Sequence, residues 1–177
     1  MTNAPDAVEP IVGWRYWRVA DDGRLASLGG ARDRWLPGQP FRARCRHARI
    51  DPFDERWRLV DGFAWSPHGA PDERCSCGVY AARSLAALRS RYLFGLRFMA
   101  VGEVSLWGKV IPGRLGYRAE LGYPRSIYVI RGPGERHRAG LGAYGVPVEA
   151  MARAEVAFSP RLALADLVRR VELGVGA

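Results

Sequence analysis

Cys45, His68, Cys75 and Cys77 carry the most explicit chemistry in this chain. They include all three of its cysteines and fall within residues 45–77, in the order Cys-x22-His-x6-Cys-x-Cys. Thiolate and imidazole are the ligands that zinc and other thiophilic metals select, and four of them close a tetrahedron, as in structural zinc sites. Zinc is therefore the cofactor to expect. The run Cys75-Ser76-Cys77 places two sulfurs on one side of an extended backbone, and Gly78 lets the chain turn so that backbone N–H groups approach them. His47, two residues after Cys45, is the rival fourth ligand. Plainer readings remain open: buried free thiols with a surface histidine, or a Cys75/Cys77 redox pair whose small ring would strain a disulfide. A cysteine nucleophile with a histidine base is a further reading, but no third group is evident to orient it. An odd cysteine count fits metal-bound thiols better than a disulfide framework.

Two carboxylates form a second candidate. Glu103 shares a predicted strand face with Val101 and Trp107, an apolar setting that could raise its pKa for acid–base work, and Glu120 lies on the neighbouring predicted strand. A small enzyme with a pocket around Glu103, Trp107 and Glu120, or a small-ligand-binding protein, is the alternative function. The duller reading pairs Glu103 with Arg118 or Lys109 across strands.

The elements that must position these groups read as mostly strand. Residues 13–19 set Trp14, Tyr16 and Arg18 against Arg15, Trp17 and Val19, followed by a turn at Asp22-Gly23 and a short strand through Leu25. From Gly29 to Ala70 the chain is rich in Arg, Pro and Gly; a metal knot would hold so long an irregular stretch in place. Ser84 caps a predicted helix over 84–94. Strands follow at 98–111, 116–123 and 126–131. Residues 132–145 read as a loop, Pro147 opens a helix through Val156, and Ser159-Pro160 opens a last one bearing Leu164, Leu167, Val168 and Val171. The fold class is α+β: a mainly antiparallel sheet, able to curl toward a barrel, with a metal-stapled irregular lobe and two or three helices. Residues 1–10 have the composition of a disordered tail, and 11–177 read as one domain, with the metal lobe at about 29–80, the sheet core at about 98–131 and C-terminal helices at about 147–173.

Charge bears on partners. The net charge is +9, with 26 Arg and the single Lys109 against 18 acids. Such a field attracts nucleic acid or an acidic protein partner, although an arginine excess of this kind is also what a GC-rich genome would encode. Arg42, Arg44, Arg46 and Arg49 are the densest run, around the first metal ligand. Arg131, Arg136 and Arg138 flank or lie in a glycine-rich loop that lacks both the P-loop and the Rossmann pattern. Trp14, Tyr16, Trp17, Trp35, Trp57 and Trp65 could stack on bases, though core packing is their commoner use. No signal peptide or membrane-length apolar run is evident, which sets the expectation of a cytoplasmic protein without membrane attachment.

The stretches GWRYW, CSCGVYA, VGEVSLWGKV, GYRAELGYP and YGVPV resemble a set of small hypothetical proteins of actinobacteria and their phages. The resemblance covers most of residues 13–148. It implies a bacterial cytoplasmic protein whose Cys/His window belongs to the shared pattern, and it brings no activity with it. The expected function is a zinc-stabilised binding or regulatory module, leaning away from catalysis.

Overall fold

The computed structural model describes residues 9–28, 33–45, 68–73, 75–88, 99–131, 135–150, 167, 168 and 171. Alternation in the sequence becomes strand. β1 (Ile11–Val19) turns through Gly23, at φ 77°, into β2 (Leu25–Ala26). β3 (Phe41–Arg42) and β4 (Val79–Ala82) are short, whereas β5 (Met99–Pro112) and β6 (Gly116–Pro124) form a long hairpin. β7 (Ile127–Arg131), helix α1 (Glu135–Gly142) and β8 (Val148–Ala150) complete the order.

Four strands close on themselves. β1 runs antiparallel to β5 from Ile11↔Leu106 to Arg18↔Met99, β5 pairs with β6, and β6 pairs with β4. β4 returns to β1 at the rung Trp14↔Ala82. The expected antiparallel sheet is thus a small closed barrel. β7 and β8 leave it from β5, β8 lying parallel to β7. A ring of four has little room inside, and small residues make closure possible. A Cβ on Gly13 would stand 2.8 Å from that of Ala81, and one on Gly116 would stand 2.1 Å from the Ala81 carbonyl oxygen. Trp17, Val79, Ala100, Val104, Leu106 and Ala119 belong to the main apolar core. A second cluster of Trp14, Leu85, Met99, Val101 and Leu167 packs on the other face of β1 and β5, as the two-residue strand period requires.

Four sequence expectations are corrected. Two or three helices were expected, but α1 is the one continuous helix among the described residues. It occupies part of the predicted 132–145 loop. Its glycines permit close packing rather than flexibility: a Cβ on Gly140 would meet the Asp22 carbonyl oxygen at 2.5 Å and Gly23 Cα at 2.7 Å. The helix predicted from Pro147 begins instead as β8, because the Pro147 carbonyl accepts from Ile127 N and draws the following residues alongside β7. In the predicted 84–94 helix the described part, 84–88, makes i→i+3 turns, with Ala87 N donating to the Ser84 carbonyl and hydroxyl; residues 89–94 lie outside the described residues. Of the last predicted helix, Leu167, Val168 and Val171 are helical and the rest lies outside. No helix among the described residues is long and apolar enough to cross a membrane.

Candidate metal centre

One edge of β6 is shared end to end by two short strands. β4 takes the stretch Gly116–Ala119, with Val79 opposite Ala119. β3 takes Leu121–Gly122, and just past its end Ala43 N donates to the Glu120 carbonyl at 2.7 Å. The end of β3 and the start of β4 therefore meet across Ala119 and Glu120. Cys45 lies two residues beyond Ala43, and Cys77 two residues before Val79. The candidate metal centre occupies this junction.

Cys45, His68, Cys75 and Cys77 each offer one ligand atom, and all four atoms lie within 4.8 Å of one another. Cys45 Sγ is 3.5 Å from Cys75 Sγ, and Cys77 Sγ is 3.5 Å from His68 Nε2. A tetrahedron with Zn–S and Zn–N bonds of the usual length has edges of about 3.4–3.8 Å, so the donors already stand close to metal-binding separation. The three cysteines are free thiols, and Cys45 and Cys77 are buried. The residues present thus form a group able to hold a metal ion.

Burial pushes the Cys77 thiol up to about 11; a hydrogen bond from the Asp72 backbone opposes this, and the neighbouring Cys75 and Cys45 thiols reinforce it. Three sulfurs so close cannot all ionise without a cation among them, which is how a thiolate metal site couples proton release to binding. Arg118, projecting from β6, secures the loop: its Nη1 donates to the carbonyls of Asp72 and Cys77, each at 3.1 Å, and to that of Cys75. The Tyr80 hydroxyl donates to the Ser76 carbonyl between the two cysteines. Gly78 has φ 133°, and an added Cβ would crowd Arg118 Cβ at 3.1 Å and Pro71 Cβ at 3.2 Å. The turn anticipated after Cys77 needs glycine for both reasons.

The structure disposes of the other sequence candidates differently. His47, Arg46, Arg49, Trp57 and Trp65 lie outside the described residues. Arg42 and Arg44 are exposed beside Cys45, Arg42 in an ion pair with Glu120. Arg131 ends β7, Arg136 is in the first turn of α1, and Arg138 is exposed on that helix. Trp17 and Trp35 are core residues meeting edge to face at 5.5 Å, and Trp14 stacks on Tyr128 at 6.1 Å.

Glu103 contacts neither Arg118 nor Lys109 in the way the duller reading required. Its carboxylate stands 3.7 Å from Arg125 Nε, while Arg118 faces the metal loop. Glu120 pairs with Arg42 and accepts from Lys109 N at 3.3 Å. The register separates the two acids, since Val104 faces Pro124 while Trp107 faces Leu121. Neither of two cavities on the surface is lined by Glu103, Trp107 or Glu120.

Sequence reasoning missed Arg118 as the clamp on the cysteine loop and Arg15 as a half-buried guanidinium bridging β1 and β4. The second had a signal, because alternation places Arg15 on the same strand face as Trp17 and Val19. No protein-family model, curated protein or solved structure matches this chain.

Proposed function

We propose that the Cys45–His68–Cys75–Cys77 group holds a structural zinc ion and that the chain is a nucleic-acid-binding module. The observation that carries the first half is the donor set: three sulfurs and one imidazole nitrogen within 4.8 Å complete a tetrahedron and leave no position for substrate. Soft thiolates in this geometry favour zinc over magnesium or calcium. The metal's task is to join β3 to β4.

Support for the second half comes from what the junction presents. Ala43 and Cys45 are buried while Arg42 and Arg44 between and beside them are exposed, so anchoring Cys45 holds two guanidinia outward on a fixed strand end. Arginine's planar fork suits phosphate, and fixing its backbone lowers the ordering cost of binding.

Zinc-loaded protein should retard single-stranded or duplex DNA at low salt, with affinity falling steeply as salt rises. Arg42→Glu with Arg44→Glu should weaken binding about equally for unrelated sequences, because phosphate contacts do not read bases. No retardation of any strand at low salt would overturn the nucleic-acid half. Metal analysis finding no zinc in protein purified without chelator would overturn the other.

A further inference from the structure

The barrel's thinnest closure lies beside the metal junction. β1 and β4 share only the rung Trp14↔Ala82. Where they part, the Arg15 guanidinium bridges the gap, its Nη1 donating to the Tyr80 carbonyl at 2.6 Å. A cleft of about 450 Å³ opens here, lined by four arginines (Arg15, Arg34, Arg42 and Arg44), with Asp33 the single carboxylate among its described lining residues.

Arg15 is held rigidly. Nη2 donates to Ser27 Oγ at 3.0 Å, and the guanidinium lies 5.2 Å from the centre of the Trp35 ring. Trp35 in turn donates to the same Ser27 oxygen at 3.1 Å and stacks on Phe41 at 4.8 Å. Burial lowers the Arg15 pKa to about 10, against the opposing pull of the Asp33 carboxylate, and leaves it cationic at neutral pH. Its Nε–H is buried without an acceptor. A guanidinium desolvated in this way, supported by a carbonyl, a hydroxyl and an aromatic face, is a charge that an incoming anion stabilises.

Two other arginines are oriented by carboxylates that do not line the cleft. Arg34 Nη1 meets Asp22 at 2.6 Å, and Arg42 Nη1 meets Glu120. These pairs reduce the local charge excess, yet each engages one nitrogen of a fork that carries five N–H donors. Recognition here rests on convergent donors more than on net charge.

We propose that this cleft binds a phosphomonoester, carried either by a free nucleotide or by the end of a nucleic-acid strand. The inference rests on the reading of the basic surface given above and names the group which that surface takes. A phosphomonoester has close to two negative charges and three acceptor oxygens, which several guanidinium forks can share. An internal phosphodiester has one charge and chain on both sides, so it suits an open track better than a cleft. Leu36, Pro40 and Phe41 supply an apolar wall for the attached sugar or base. The volume suits a nucleotide, since small-ligand pockets span roughly 300–1,000 Å³.

The test uses the zinc-loaded full chain and two matched pairs of probes: a short single strand with phosphorylated or hydroxyl ends, and a nucleoside monophosphate or its nucleoside. The phosphorylated member of at least one pair should bind roughly tenfold tighter or more, the factor that one charge-assisted hydrogen bond provides. Inorganic pyrophosphate should compete with it. Arg34→Gln and Arg44→Gln, both at exposed or half-exposed positions outside the core, should erase that preference without lowering the melting temperature. Arg15→Met should erase it as well, but its fold must be checked by the melt. A preference confined to the free nucleotide, with no strand bound, would uphold the cleft and overturn the nucleic-acid reading. Equal binding of both members in each pair would overturn the cleft, and strand binding that persisted would leave the nucleic-acid reading standing.

Discussion

The two seams of the barrel that involve β1 are closed by different means. Between β1 and β5 the closure is backbone ladder, continuous from Ile11 to Arg18. Between β1 and β4 it is a single rung supplemented by Arg15, and the neighbouring β3–β4 break is spanned by the cysteine and histidine side chains. A ladder uses groups that every residue carries, so it tolerates substitution wherever shape is kept. A seam or junction held by side chains depends on particular residues and, at the Cys/His group, on the zinc proposed above. The same dependence leaves a cleft at the surface, which a complete ladder would have filled.

The sharpest way to break this comparison is to remove one ligand. Cys77→Ser should abolish zinc binding and cost about 4 kcal/mol or more of stability, since losing a metal is among the few single changes that large. Chelator should shift the wild-type melt by a similar amount and leave the variant's melt unmoved. A metal-free variant melting like the parent would show that the junction needs no staple.

On the laddered seam, Leu106→Ala should cost about 3 kcal/mol by leaving a cavity at a fully buried position. Its zinc content should stay at the parent level. Metal loss in this variant would mean that the seams are not independent.

Arg118→Met is the intermediate case. It deprives the carbonyls of Asp72, Cys75 and Cys77 of a charged donor, and about 2 kcal/mol is expected in stability, along with roughly 10–100-fold weaker zinc in a competition titration. An unchanged zinc affinity would reduce Arg118 to a strand residue.

The smallest effect belongs to Arg125→Ala. Its pair with Glu103 is exposed and long at 3.7 Å, so the melt should move by less than about 0.5 kcal/mol. A much larger change would mean that Glu103 has a role the ion pair does not describe.

The comparison also explains what could be read in the sequence. Period-two alternation in 13–19 and 98–111 reports two apolar faces, and β1 and β5 stand where it places them. The four clustered ligands were legible because Cys and His have few other reasons to gather in one window. Closure into a ring was only partly legible, because it rests on Gly13 and Gly116, whose small size is needed for contacts with residues distant in sequence. For the same reason α1 was read as loop: Gly140 looks like a breaker until its partner, Gly23, is known. Glu103 and Glu120 were placed on adjacent strands correctly, but the hairpin register, with Val104 opposite Pro124 and Trp107 opposite Leu121, sets them far apart along those strands.

The strand order has a further consequence at its two ends. Among the described residues it terminates in β2 and β8, of two and three residues. A row of unpaired backbone groups that short gives an extended polypeptide almost nothing to zip onto, whereas a long free edge is a template for aggregation. β5 and β6 spend their hydrogen bonds on each other and on their neighbours, whereas β1 is laddered fully only along β5. Self-association by strand addition would therefore begin most readily at the β1–β4 seam, where a single rung and Arg15 hold the strands and least backbone pairing is lost. Metal depletion should thus do more than lower a melting temperature: by releasing β4 where it meets β3, it should loosen the thinly paired β4–β1 margin as well and raise the tendency to form fibrils.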